Sequence, residues 1–305
     1  MRLEGIHHVT AITGDAPRNV DFYTRVLGLR LVKKTVNQDD PTVYHLFYAD
    51  EKGSPGSDLT FFEYPGSAPG RAGAGMVHTV VWRVGSAEAL DFWADRLADE
   101  GVEATREAGV VRFADPEGLT HELAAVETDD ERLVAEHPEI PADLAVQGFD
   151  AVRAYTRDPQ RSRAFLEETL RFKPVGSSWE ARGERRGSLY GYDEAPSGPA
   201  FMGAGSVHHV AWAAPPYEHE GWRDRVAQAG ARPTPVIDRF YFRSVYFREP
   251  SGVLFEIATI GPGFTADEPL EHLGEALSLP PAYEHLRERL EQVLTPLPDP
   301  RTVRR

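Results

Sequence analysis

Two histidine pairs stand at the same point of two similar segments: His7-His8 in GIHHVTAIT and His208-His209 in SVHHVAWAA. Imidazole serves as acid, base or metal ligand, so the pairing asks which chemistry applies. A carboxylate completes one pattern. Glu256 follows Gly252 by four residues in VYFREPSGVLFEIAT, downstream of His209. A single histidine on a strand is most often a structural residue. His8 and His209, however, occupy equivalent places in a repeat, and Glu256 lies on the last strand of the unit that holds His209. Two imidazoles and one carboxylate on one face, with open positions, suit non-haem Fe(II). His8, His209 and Glu256 are therefore the candidate metal ligands. The sequence has no cysteine, which excludes thiolate sites, disulfides and a cysteine nucleophile.

Side chains alternate between the faces of a strand, so His7 and His8 are expected on opposite faces, as are His208 and His209. His7 and His208 then support the ligands from behind or lie exposed. Other units repeat the histidine-to-glutamate pattern less completely. His8 precedes Glu63 by 55 residues, His78 precedes Glu122 by 44, and His209 precedes Glu256 by 47. His78 and Glu122 sit in register with the ligand positions. The remaining unit offers Ala151 where His8 stands and no glutamate in its PAFMGAG run, so no second metal site is expected. His121, beside Glu122, points to the other face. Glu63 is ambiguous. Joined to His8, His209 and Glu256 it would make a two-histidine, two-glutamate set, filling a position that O2 chemistry needs open.

Four repeats must position these groups. Strand-like runs begin at Gly5, Met76, Gly148 and Ser206. Each precedes a helix-like stretch, from Pro17, Ala87, Pro159 and Tyr217, with aromatic residues at matching places: Phe22-Tyr23, Phe92-Trp93, Phe165 and Trp222. Gly28, Gly101 and Gly230 fall where glycine ends a helix. Units two and four close alike through a turn with proline and glycine, Pro116 with Gly118 and Pro250 with Gly252. The units span about 5–65, 76–126, 147–204 and 206–260. The fold class is α+β, with four βαβββ modules and a C-terminal helix from Pro281. The chain divides into an N-terminal half, 1–130, a C-terminal half, 145–262, and a tail, 263–305, whose last dozen residues are expected to fray.

Composition bounds the partners. The 305 residues, 41% of them hydrophobic and 27% charged, carry a formal charge of −15, against nucleic acid and anionic membrane surfaces. No run of about 18 apolar residues suggests a membrane span, and the start lacks a signal-peptide core. A cytoplasmic location is the expectation.

The four-fold repeat over about residues 3–262 resembles the vicinal oxygen chelate superfamily, which includes glyoxalase I, extradiol dioxygenases and the bleomycin and fosfomycin resistance proteins. The resemblance implies modules paired into cup-shaped mixed sheets around a metal. The opening run LEGIHHVTAITGDAPRNVDFYTRVLGLRLVKKTVNQDDPTVYHLFYADEKGSPGSDLTFF is similar to the hydroquinone 1,2-dioxygenase branch of ring-cleaving enzymes. That likeness implies a site drawn from the first and fourth modules, with ligands at His8, His209 and Glu256. It implies second-shell or catalytic roles for His7, Thr10, His208, Arg239 and Tyr246. It further implies Fe(II), or Mn(II) with its overlapping ligand preferences, and a small phenolic substrate with O2. A homo-oligomer is left open. A hydroquinone has one oxygen to place on a metal, so Arg239 and Tyr246 are expected to orient it. His45, in TVYHLFYAD, is expected to serve mainly structure, with a place in the pocket wall as the alternative. Two rivals stand beside this reading: a glyoxalase-like metal-dependent isomerase or lyase, and a non-catalytic binder of aromatic compounds.

Overall fold

In the computed structural model, which describes residues 1–107 and 109–298, each unit opens with a largely buried strand. Unit one comprises β1 (Ile6–Thr13), helix α1 (Ala16–Asp21) running on as a wider π turn to Val26, β2 (Arg30–Asn37), β3 (Asp40–Ala49) and β4 (Asp58–Glu63). Unit two comprises β5 (Met76–Val84), α2 (Ala87–Asp99), β6 (Ala104–Glu107), β7 (Val110–Ala114) and β8 (Thr120–Ala125). Unit three comprises β9 (Phe149–Thr156), α3 (Gln160–Ala164) continued by a π turn to Thr169, β10 (Lys173–Val175), β11 (Ser178–Arg182) and β12 (Gly187–Glu194). Unit four comprises β13 (Val207–Ala214), α4 (His219–Gln228), β14 (Ile237–Asp238), β15 (Arg243–Arg248) and β16 (Leu254–Thr259). A 3-10 turn (Pro281–Leu286) leads into α5 (Arg287–Val293).

Side-chain caps start the first two helices, whereas α3, α4 and α5 have none. Asp15 accepts from the Arg18 amide to start α1, and Ser86 accepts from the Ala89 amide to start α2. Tyr23, Trp93 and Trp222 are wholly buried and Phe165 nearly so, turning the recurrent aromatics into the core. Gly28 ends the first helical segment at φ 75°, and Arg171 takes the same left-handed place in unit three at φ 61°. The third unit ends on β12 rather than on the PAFMGAG run, where Phe201 makes only an isolated bridge with Arg71.

The strands form two eight-stranded mixed sheets. One runs β14-β15-β16-β13-β1-β4-β3-β2, the other β10-β11-β12-β9-β5-β8-β7-β6. Units four and one therefore share one sheet, and units three and two the other. The consecutive halves 1–130 and 145–262 do not coincide with the sheets: each sheet takes one unit from each half. The join in both is an antiparallel pair of first strands, β1 with β13 and β5 with β9.

The tail packs on the first sheet. Lys33 on β2 is fully buried, and its Nζ donates to Asp267 Oδ1 at 2.7 Å and to Glu268. Tyr241 donates to the same Asp267 at 2.9 Å. Phe264 and Leu273 join Phe47, Tyr241 and Phe242 in a second apolar cluster. Leu294 is buried and Leu297 packs against the main core, so the end of the chain is docked at least that far. The expected fraying of 299–305 lies outside the described residues. Among the described residues, no helix is long and apolar enough to cross a membrane.

Candidate metal centre

The β1–β13 pairing brings together groups 201 residues apart. His8 Nε2 lies 3.2 Å from His209 Nε2 and 3.2 Å from Glu256 Oε2, and His209 Nε2 lies 2.9 Å from that oxygen. These atoms form the only cluster of three or more potential ligands among the described residues. Adjacent ligands at about 2.1 Å from one ion would stand about 3 Å apart, close to these separations. Glu256 is fully buried, and besides His8 and His209 its oxygens meet no polar partner. A buried carboxylate faced only by two imidazoles is costly unless a cation meets it. Burial opposes its charge, yet His8 and His209 hold its pKa well below the usual carboxylate range. The donor set thus fits a divalent ion.

The register explains the histidine pairs. Along β1–β13 the pairing skips His7 between Ile6 and His8, and skips His208 between His209 and Val207. Each skipped residue is a β-bulge, which re-aims a side chain. Strict alternation therefore fails at both pairs. His7 Nδ1 reaches His8 Nδ1 at 2.9 Å, and His208 Nδ1 reaches His209 Nδ1 at 2.8 Å. Each inner histidine is held through Nδ1 and left with Nε2 toward the centre, the usual device for fixing a ligand's tautomer. Burial, then the neighbouring His8, lowers the His7 pKa to about 3, so that ring is neutral.

A cleft opens beside His8 and His209, walled by Phe47, Phe62, Tyr241 and Phe242. Tyr246 on β15 pairs across to Glu256, and its ring stands 5.6 Å from that of His209 at 87°. Burial, then Glu256, pushes its phenol pKa up. Arg239 lies in the turn after β14 rather than on a strand. It binds Asp39 through two hydrogen bonds, 3.0 and 2.8 Å, and its guanidinium sits 5.5 Å from the Tyr246 ring centroid. Asp39 belongs to the β2–β3 hairpin tip, so this ion pair bridges the two units at the cleft. Thr10 is buried and accepts from Thr60 at 2.8 Å; it does not line the cleft.

Comparison with known proteins gives the family. The model of the Glyoxalase/Bleomycin resistance protein/Dioxygenase superfamily matches residues 5–123 and 148–257. The chain belongs to that superfamily. It is 40% identical over 301 residues to a candidate ring-cleaving dioxygenase, MhqO of Bacillus subtilis, covering 96% of each. It is 31% identical to the chlorohydroquinone/hydroquinone 1,2-dioxygenase of Sphingobium indicum, covering 95% of each. The crystal structure of a candidate dioxygenase from Bacillus subtilis superposes with a TM-score of 0.91 at 39% identity, covering 97% of this chain and 98% of the other.

In this superfamily member the second sheet repeats the junction without the candidate ligands. The β5–β9 pairing skips His78 and Asp150, as β1–β13 skips His208 and His7. His78 is therefore in the bulge position, and Thr79 stands where His209 does. That corrects the expectation of His78 in ligand register: unit two has one histidine where β13 has two, and it is the second of the pair that is missing. Ala151 holds the place of His8, as expected. Glu122 does match Glu256, but Arg153 binds both its oxygens at 2.6 and 2.8 Å and Arg112 binds Oε1 at 2.7 Å. Guanidinium groups there stand in for a cation. His121 is buried on the other face, against Tyr23 and Trp82.

Glu63 also lies outside the centre. It is buried at the end of β4, where Oε1 accepts from the Ala16 amide at the start of α1. It directly follows cleft-lining Phe62 on β4, so alternation turns it to the helix side. His45, expected in a structural role with the pocket wall as the alternative, lines the cleft with Phe62 and Asp39. No local spacing marks these residues, because a strand pairing and a hairpin tip bring them in.

Proposed function

We propose that this chain is an Fe(II)-dependent ring-cleaving dioxygenase acting on hydroquinone-type or related phenolic substrates. The observation that carries the reading is the convergence of His8, His209 and a buried Glu256, which has no other polar partner, on one side of an aromatic cleft. Those three residues would hold the metal. When bound, Fe(II) supplies Lewis acidity toward a phenolate and the redox chemistry that O2 requires; Mn(II) shares its donor preferences.

The chain's own residues do the rest. His7 and His208 fix the tautomers of His8 and His209 through Nδ1. Phe47, Phe62 and Phe242 present apolar walls to an aromatic ring and exclude water. Tyr246, with its phenol held protonated, donates to an oxygen of the substrate or of O2. Arg239 supplies a fixed positive charge beside it, held in place by Asp39. A hydroquinone offers the metal one oxygen, so such contacts must orient it. Names of relatives support the substrate class, including hydroquinone 1,2-dioxygenase. The cytoplasmic location belongs to the same reading.

Anaerobic purification with metal analysis, followed by O2 uptake on a panel of hydroquinones, catechols and monophenols, tests it. The expected result is about one iron per chain and uptake greatest with hydroquinones. A metal-loaded protein that consumes no O2 with any of them would overturn the reading.

A further inference from the structure

His45 sits in the cleft wall with its ring clamped between two phenylalanines. Its centroid is 3.9 Å from that of Phe47 and 4.4 Å from that of Phe62. One nitrogen is committed: His45 Nε2 is 2.9 Å from Thr60 Oγ1. Thr60 in turn donates its single hydroxyl proton to Thr10 at 2.8 Å. The bond to His45 must then use the imidazole proton, so Nε2–H donates to Thr60. A neutral ring in that tautomer carries a lone pair on Nδ1. Burial, followed by His8 and His209, holds the His45 pKa well below its ordinary value, which keeps the ring neutral. Thr10 and Thr60 are both fully buried, so the chain that orients the ring is shielded from water.

We propose that His45 Nδ1 accepts a hydrogen bond from the substrate hydroxyl that is not held at the metal centre, and so selects dihydroxylated over monohydroxylated rings. The inference rests on the reading of the cleft as a phenol site. His45 lies on β3, two strands from β1. Two strand spacings, about 10 Å at the backbone, leave space for one aromatic ring between side chains. A ring oxygen reaching toward His8 and His209 places a second hydroxyl toward the opposite wall, where His45 offers an acceptor. Thr60 and Thr10 are the positioning residues, fixing the tautomer as a hydrogen-bonded partner does for a metal-bound histidine.

The test is anaerobic binding of hydroquinone and of phenol to the metal-loaded protein, measured by calorimetry, with metal content and melting temperature recorded for every variant. His45→Phe keeps a stacked ring and removes the acceptor. Hydroquinone should bind about 10-fold more weakly, and phenol should change by less than about threefold. Thr60→Val leaves His45 in place but frees its tautomer, so it should lower hydroquinone affinity selectively and by less. Equal weakening of both ligands in His45→Phe would make the residue a wall and overturn the proposal. Unchanged hydroquinone affinity in both variants would do the same. Oxygen uptake by the wild type is read separately. Its absence would count against the dioxygenase reading, while the binding comparison still decides the role of His45.

Discussion

Thr60 and Glu256 hold the same register position in the two units of the first sheet. Thr60 pairs with Thr10, two residues after His8, and Glu256 pairs with Ala211, two residues after His209. A hydroxyl thus stands where a symmetric centre would carry a second carboxylate. The nearest glutamate on that strand, Glu63, faces α1 instead. Glu63→Gln should therefore keep wild-type metal content and O2 uptake. Metal analysis showing a loss as large as that of Glu256→Gln would restore the glyoxalase-like set.

His8→Ala should abolish metal retention although its partner ligands lie about 200 residues away in the chain. His7→Phe removes only the group holding His8 Nδ1. Metal affinity should then fall about 10- to 100-fold, as for other residues that orient a ligand. Competition with a chelator of known affinity measures both. Full metal occupancy in His8→Ala would sink the assignment.

The second junction should be silent toward metal. The double change His78→Ala and Glu122→Ala should leave stoichiometry and turnover as in the wild type. It should lower the melting temperature, because Arg153 and Arg112 lose the carboxylate they share. Loss of activity with the fold intact would mean that the wrong pair of units had been chosen.

The repeat and the His8, His209, Glu256 cluster were legible because they leave local marks. Each unit shows a strand start, a helix with inward aromatics and a closing turn, and the two histidine pairs repeat in phase. The bulges were not legible. One extra residue in a strand leaves the alternating pattern intact on either side, so His7 reads as facing away from His8. His78 was misplaced for another reason, since VHTV matched to VHHV sets it at His208 and not at His209. Glu63 was ambiguous because a strand's pairing partner, not its sequence, decides which residue sits beside the centre. The end of unit three was misplaced because GSLYGYDE, with two glycines and two acids, looks like a loop while PAFMGAG looks apolar. His45, Asp39 and the docked tail depend on contacts between distant segments.

Lys33 tests the tail. Its ammonium is fully buried between Asp267 and Glu268, which are themselves mostly buried. Lys33→Met removes the cation and leaves two acids facing an apolar wall. Stability in urea should fall by about 3 kcal/mol, the cost of breaking a buried pair from one side. An unchanged denaturation midpoint would show that the tail is held by Phe264 and Leu273 alone.

Asp115 gives a pH dependence. Burial raises its pKa from 3.8 to about 6, against the opposing donors from Leu119 and Tyr23. Below pH 3.8 the carboxyl is neutral in both the folded and unfolded chain, and its stabilising contribution is complete. Between pH 3.8 and 6 the unfolded chain ionises first, so stability falls as pH rises, and above pH 6 the contribution is gone. The displacement corresponds to about 3 kcal/mol. Asp115→Asn lacks this slope. Its stability relative to wild type should rise by about that amount between pH 4 and 6.5, read from urea midpoints at each pH. A constant difference would remove Asp115 as the source.

The order of strands has a consequence during synthesis. β1 is made first, but its antiparallel neighbour β13 is about 200 residues further along. At about 5–20 residues per second, that separation corresponds to about 10–40 s on the ribosome. During that interval the first unit carries an unpaired strand edge, of the kind that templates aggregation. The second sheet can close earlier, since β5 and β9 both emerge before β13. Metal loading must wait until the fourth unit is out, so the nascent chain holds His8 without the other two residues that would make it a binding site.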